Sequence, residues 1–388
     1  MKGSATSAFR GTVLAFVATA CIKAPAPTDL EWLDGTHTRP AGPALRVRWT
    51  RDLAPPFSGK YIPVERAAAG LDPQGARVYI GSNQGVLWGL RQDGAPLFEH
   101  HADAAIEAAP AVDGARDEVY VATIRGQVQA LEADTGHLRW RAEVGGPVSE
   151  APLLTDDAVY VVTDEDGIVA FARTDGSVLW RYRRERHEGL AIAGHAGLTR
   201  TPRGIVTGFE DGSVVMLDAG DGHVLWEFDT SEEFGESESK FIDVDTTPEF
   251  IDDVLYVASF TSGAYGLDVQ GGGVLWHEPK ITGVTHIAVT DDLLLLASAQ
   301  RGVVCLERSG YAPRWVQSPE RGAPGAIHIE HGVAYVAETL GALRAFALTS
   351  GRELGRLETG HGITSPPSLE GGQGYVLSNA GRLFALAY

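Results

Sequence analysis

Short apolar runs recur along this chain, each too brief for a helix that buries one face. Glu118-Val-Tyr-Val-Ala-Thr123 and Ala158-Val-Tyr-Val-Val-Thr163 are β-branched and aromatic, and Asp-rich turns bound them. Runs of this length and composition read as buried strands. Each is followed by a glycine, a second apolar run, an Asp-Gly or Thr-Gly turn and a tryptophan. The unit Glu118–Trp140 returns as Ala158–Trp180, then through Gly212, Asp221-Gly222 and Trp226, then through Tyr256, Gly263 and Trp276, with degenerate copies around these. The glycine expected to turn between the second and third strands falls at Gly85, Gly126, Gly167, Gly212, Gly263, Gly302, Gly341 and Gly381. Successive spacings are 41, 41, 45, 51, 39, 39 and 40 residues. Eight units of about forty residues match the period of a four-stranded propeller blade.

The turn chemistry agrees with that period. Asp175-Gly176 and Asp221-Gly222 supply the positive φ that tight hairpins need. Trp140, Trp180, Trp226, Trp276 and Trp315 place a large apolar face at one fixed point per unit, expected to pack against the neighbouring blade. The last unit, Gly374–Tyr388, stops after its third strand, whereas Leu45–Trp49 has the look of a fourth strand with no preceding three. Together they complete one blade, and closure by both termini removes the open sheet edge. The expectation is therefore an all-β, eight-bladed propeller of four-stranded antiparallel blades, one domain over residues 45–388. Length alone would argue for two or three domains.

Residues 1–20 stand outside this pattern. Lys2 and Arg10 precede the apolar run Gly11–Ala20, which is too short to span a bilayer and ends in small residues before Cys21. That is the form of a secretory signal. Ala18-Thr-Ala-Cys21 resembles a bacterial lipobox, with Ala18 where leucine is usual, and implies a lipidated Cys21 as the first mature residue. The alternative is ordinary cleavage beside an incidental cysteine. Residues 21–44 carry Pro25, Pro27, Pro40 and Pro43 and read as a tether. Extended at ~3.3–3.6 Å per residue, it reaches roughly 70–80 Å. Ile22 in place of Asp after the cysteine implies, by analogy with lipobox sorting, an outer-membrane anchor facing the periplasm.

Composition narrows the chemistry. With 32 Lys+Arg against 51 Asp+Glu, the 388-residue chain carries −19, and loss of Lys2 and Arg10 with the signal leaves −21. Such a surface repels phosphates and argues against nucleic acid. A hydrophobic fraction of 44% and a charged fraction of 21% exclude a disordered chain. Cys305 lies in an apolar strand pattern with no partner for an internal disulfide, so a buried free thiol is expected. His100, His101, His187, His195, His328 and His331 are scattered over strands and loops without metal-ligand spacing. No Ser/His/Asp signature or phosphate loop stands out. Neither catalytic residue, metal nor cofactor is expected.

Ala130–Trp140 resembles the tryptophan-docking repeat of the pyrroloquinoline-quinone dehydrogenases, which keeps a quinone-dependent oxidoreductase open as an alternative. Those enzymes are usually longer and often carry a vicinal cysteine disulfide, which Cys21 and Cys305 cannot form. A second resemblance covers almost the whole chain. A lipobox, a proline-bearing tether and eight such repeats are similar to the BamB family of propeller lipoproteins in outer-membrane β-barrel assembly. Its most specific element is Phe241–Pro248, whose Asp243-Val-Asp245-Thr-Thr-Pro core is similar to the family's interblade motif before the fifth blade. The resemblance implies that Asp243 and Asp245 contribute to docking on BamA, the barrel subunit. Leu190-Ala-Ile192-Ala193 aligns with the family's Leu-x-Leu-Arg docking stretch, so Leu190 and Ile192 are implied as partner contacts, and the arginine is missing.

The same segments stand out without the family. The connections after Trp180 and Trp226 account for the long spacings of 45 and 51; the first is arginine-rich and the second acidic. In a propeller such links emerge on one face, where enlarged charged loops suit docking. Alternatively they pair with each other. The expected function is a non-catalytic scaffold, monomeric within its complex, that docks on a BamA-like subunit and meets unfolded outer-membrane proteins. A generic ligand-binding surface lipoprotein is the remaining alternative.

Overall fold

The computed structural model describes residues 45–53, 64–72, 74, 77–184, 195–231 and 243–388. Cys21, the tether, Leu190 and Ile192 lie outside the described residues. The described strands form eight sheets of four antiparallel strands each. Blade 1 begins at Ala69–Leu71, and the blades follow in chain order to blade 7, which ends at Glu353–Leu357. Blade 8 combines Ser368–Glu370, Gln373–Leu377 and Arg382–Ala387 with the N-terminal strand Arg46–Asp52. The first strand of each blade is innermost, two or three residues long except in blades 6 and 7, and these strands touch the next one around the ring from blade 4 through blades 8 and 1 to blade 2. The fourth strands face outward, with exposed positions on either side of a buried tryptophan, as in Val178–Arg183.

The core is divided into eight apolar layers, each sandwiched between two adjacent blades. Strand alternation produces this. In Val254–Ser259, Leu255 and Val257 pack toward blade 4, while Tyr256 and Ala258 pack toward blade 6. A strand buried on both faces needs continuous apolar residues, which is why these runs lack the polar alternation of a solvated sheet. Cys305 belongs to one such layer at 0% exposure, and burial pushes its thiol up to about 12.

Each tryptophan seats on the following blade. The indole of Trp140 lies against Gly176, where a Cβ would come within 2.5 Å, and its Nε1–H donates to the Arg173 carbonyl at 2.8 Å. Trp49 on Gly94, Trp180 on Gly222, Trp226 on Gly272 and Trp315 on Gly351 repeat the contact, each glycine at positive φ. Phe98 takes the tryptophan's place in blade 1 and lies on Gly136. Tyr311 takes the glycine's place in blade 6, with φ 55° and its ring stacked on Trp276 at 4.3 Å. Blade 7 has Gly355 at the tryptophan register, opposite Ala345, and blade 8 has chain ends instead of a hairpin. There Leu45, Leu354 and Tyr388 fill the layer, with Tyr388 edge-on to Tyr335 and its hydroxyl donating to Glu330.

Two of the eight turn glycines depart from expectation. At the blade 3 turn, Asp166 takes the left-handed conformation, φ 55°, and Gly167 does not. Gly341 has no positive φ either; a Cβ there would meet the Glu338 carboxylate at 2.2 Å, so space and not backbone freedom requires it.

Candidate functional site: an acid-lined link face

Antiparallel order sorts the turns onto two faces. Turns between second and third strands share one face with the interblade links, and the turns beside the tryptophans occupy the other. Arg46 pairs with Ala387 and Asp52 with Arg382, next to Gly381. The chain therefore enters blade 8 on the tryptophan face and leaves it on the link face. A cavity of about 230 Å³ sits at this seam on the tryptophan face, lined by Arg77, Gln92, Gln373 and Tyr375 among others. Its one guanidinium is already bound to Asp72, Asp117 and Asp134.

Three consecutive links converge on the link face beside blades 3, 4 and 5. Their described residues are 144–152, then 184 and 195–198, then 230–231 and 243–248. The sequence Asp243–Pro248 is a clamp among them. Val244 N–H donates to the Phe209 carbonyl at 3.1 Å, Phe260 N–H to the Asp243 carbonyl at 3.0 Å, and Gly197 N–H to Thr247 Oγ1 at 2.9 Å. Thr246 Oγ1 donates to the Ala258 carbonyl at 3.2 Å, and Thr199 Oγ1 to the Pro248 carbonyl at 2.5 Å. Two blade turns and two links are thus held by one hexapeptide. Asp243 is 1% exposed, so its carboxylate sits within the clamp, while Asp245 is half-buried above it.

Acids from separate elements gather around this clamp. Glu150 comes from the first link, and a Cβ on Gly197 would lie 3.2 Å from its carboxylate. Asp164 and Asp166 come from the blade 3 turn and Glu210 from the blade 4 turn. Burial pushes Glu150 up to about 7, with Asp164 and Asp245 adding to the effect and His195 opposing it. Asp245 also rises to about 7, through burial and then the neighbouring Asp243, with Glu210 adding and His195 opposing. His195 sits beneath them, with Nε2 3.4 Å from Asp166 Oδ1 and both side chains 1% exposed. Its Nδ1 contacts the Ala196 carbonyl at 2.8 Å, and its ring meets Phe209 edge-on. Burial alone would lower this imidazole, but Asp166, the Ala196 carbonyl and Glu150 outweigh it and hold it above its ordinary value. Carboxylates held this way favour any cation brought to the surface above them.

Of the arginines after Trp180, Arg184 is committed to the ring, at 2.5 Å from Asp211 and 2.6 Å from Glu227. So part of the basic link pairs with blade 4. Of the site residues expected from sequence, Asp243 and Asp245 are brought together on this face. Glu150, Asp166 and His195 were not singled out as a group, because each belongs to a different blade or link and no local motif joins them. Elsewhere, Asp218, Asp221 and His223 bring three possible metal-ligand atoms within 4.8 Å on an exposed hairpin. There Asp221 is already bonded to the backbone N–H and ring of His223.

Fold and site define a class: a closed propeller of eight quinoprotein-type blades, sealed by its own termini, with an enlarged acidic link face. The family model described as outer membrane protein assembly factor BamB matches residues 114–317, more than half of the 388. The chain belongs to the BamB family. Outer membrane protein assembly factor BamB from Shewanella oneidensis is 25% identical over 285 residues, covering 71% of this chain and 70% of that protein. The crystal structure of BamB from Moraxella catarrhalis superposes with a TM-score of 0.75 at 20% identity, covering 89% of this chain and all of that one. A quinohemoprotein alcohol dehydrogenase from Comamonas testosteroni reaches a TM-score of 0.69 at 13% identity, over 89% of this chain and 76% of that one, and shares the fold alone.

Proposed function

We propose that this protein is a non-catalytic scaffold of outer-membrane β-barrel protein assembly that docks on a BamA-like barrel subunit through its link face. Membership of a family of assembly factors supports the scaffold reading. The observation that carries docking is the convergence of three links and their acids at one place on a ring stiffened by eight interblade layers. Asp245 and Glu150 offer charge there, the hydrogen bonds of Asp243–Pro248 fix the backbone around Asp245, and Leu190 and Ile192 belong to the link that runs between Arg184 and His195. A rigid platform with charged loops favours recognition by charge complementarity.

Lipidation at Cys21 and residues 21–44 as tether would hold the ring at the outer membrane, facing the periplasm. The tether joins on the tryptophan face, which leaves the link face free for a partner. Unfolded outer-membrane proteins are a second class of partner, able to pair with the exposed outer strands. Affinity purification of the tagged lipoprotein from detergent-solubilised envelope tests the reading. A BamA-like subunit should be recovered with the wild type and reduced with Asp245→Lys, and its absence from the wild-type eluate would overturn docking.

A further inference from the structure

Resting on that docking reading, we propose that Glu150, Asp245 and the His195–Asp166 pair form a proton-linked socket for one cationic side chain of the partner, so that docking expels protons and weakens as the medium acidifies. Three observations point there. The first is geometric: Glu150 and Asp245 come from separate links, and the Glu150 carboxylate lies against Gly197, whose N–H is held by Thr247 of the Asp243–Pro248 clamp. The second is a buried charge pair: Asp166 Oδ1 and His195 Nε2 are shut off from solvent beneath the acids, and neither makes a well-formed hydrogen bond within the described residues. At 3.4 Å they are matched by charge alone. The third is that the acids are partly open above, Glu150 and Asp245 being half-buried, so a guanidinium or ammonium can reach them from solvent.

The groups facing this socket are Asp164 and Asp166 from the blade 3 turn, Glu210 from the blade 4 turn, His195 from the second link, and Asp243 from the third. The acids among them disfavour ionisation of Glu150 and Asp245, and only the imidazolium favours it. A docked cation reverses the balance and ionises both carboxylates. Protons held by the free ring near neutral pH must then leave, and binding tightens as pH rises. Acidification also charges His195, which repels an incoming cation. Glu150 thereby becomes a positioning acid for docking that lies outside the Asp243–Asp245 motif.

The test is calorimetric titration of the full-length, detergent-solubilised lipoprotein with the periplasmic region of the BamA-like subunit from the same bacterium. Wild type should bind roughly a hundredfold more tightly near pH 8 than near pH 6, about tenfold for each of the two linked protons. The heat should change with the ionisation enthalpy of the buffer. Glu150→Gln should bind more weakly near pH 8 and keep only about a tenfold pH dependence, from Asp245; if that variant does not fold, Asp245→Asn carries the same expectation with Glu150 as the remaining acid. Equal affinity at both pH values overturns the socket and leaves docking standing. Absence of binding at either pH overturns docking, and the socket with it.

Discussion

The indole of Trp140 rests on the α-carbon of Gly176 in the next blade, at a φ of 71° that few other residues adopt. Sterics and conformation therefore demand the same glycine for separate reasons, and the two can be measured apart. Gly176→Ala should cost at least about 2 kcal/mol, from left-handed strain of about 1 kcal/mol and a collision with the indole. Trp140→Ala should cost about 3–5 kcal/mol. In the Trp140→Ala background, Gly176→Ala should cost only the strain, so a double-mutant cycle by denaturant unfolding should show coupling of 1 kcal/mol or more, roughly. Strict additivity would mean that the contact is not what fixes the glycine.

Ring closure gives a second expectation. Trp49 ties the N-terminal strand to blade 1 through Gln92, at 2.8 Å, while Leu45 completes the layer between blades 7 and 8. Deleting residues 45–52 would strip both contacts and expose Arg382–Ala387 as an unpaired edge. The truncated ring should melt at lower temperature and associate on size-exclusion chromatography. Deleting residues 22–44 instead should leave both measurements unchanged. A truncation at 45–52 that stayed monomeric with an unaltered melt would show that the seam is dispensable.

The ring itself was legible in the sequence because its elements are local and repeated. Glycine and tryptophan recur at one register, and strand runs buried on both faces cannot be confused with surface helices. The shared fourth strand was legible from what each terminus lacked. Where registers substitute for one another, the pattern failed: Asp166 turns in place of Gly167, Tyr311 replaces a glycine, and Phe98 a tryptophan. The acid site was only half legible. Asp243 and Asp245 lie two positions apart in one motif, but Glu150 and His195 reach them from other links, and the burial of Asp243 depends on the bonds of Val244 to Phe209 and of Asp243 to Phe260. Charge counting in an acidic chain cannot separate a buried carboxylate from fifty others.

Burial of Cys305 within a layer between blades 6 and 7 keeps the proton on its sulfur and reagents away from it. With the thiol pushed up to about 12, thiolate is scarce near pH 8, and the folded protein should resist modification. Ellman's reagent should find no reactive thiol in the folded lipoprotein, the Cys21 sulfur being taken up by its lipid, and should react with Cys305 at once in denaturant. Labelling in dilute denaturant should then follow the opening of this layer. Prompt reaction under native conditions would contradict the packing of blade 6.

Stability should fall as pH rises from about 5.5 to about 7.5, contrary to the usual behaviour of paired carboxylates. Glu150, Asp245 and Glu249 are raised to about 7, burial being the leading cause in each, so the folded ring holds protons that the unfolded chain has already lost. His195 is raised as well, and its contribution fades as pH climbs beyond its ordinary value. Burial acts oppositely on His286, lowered to about 4, and on His328, lowered too; the unfolded chain protonates these first, and they favour higher pH below about 6.5. Against burial, Asp113 is lowered by Arg173 and Asp211 by Ser213 and then Arg184, and both lose their contribution only in strong acid, outside this window. Glu65 is raised by burial too, so four raised acids and one raised imidazole outweigh two lowered imidazoles, the folded state binds more protons and the slope is negative. The thermal midpoint should therefore drop by a few degrees, roughly, across the window. Glu150→Gln should flatten that drop while keeping the midpoint near pH 5.5, and a midpoint that rose with pH would show that these carboxylates ionise freely in the folded ring.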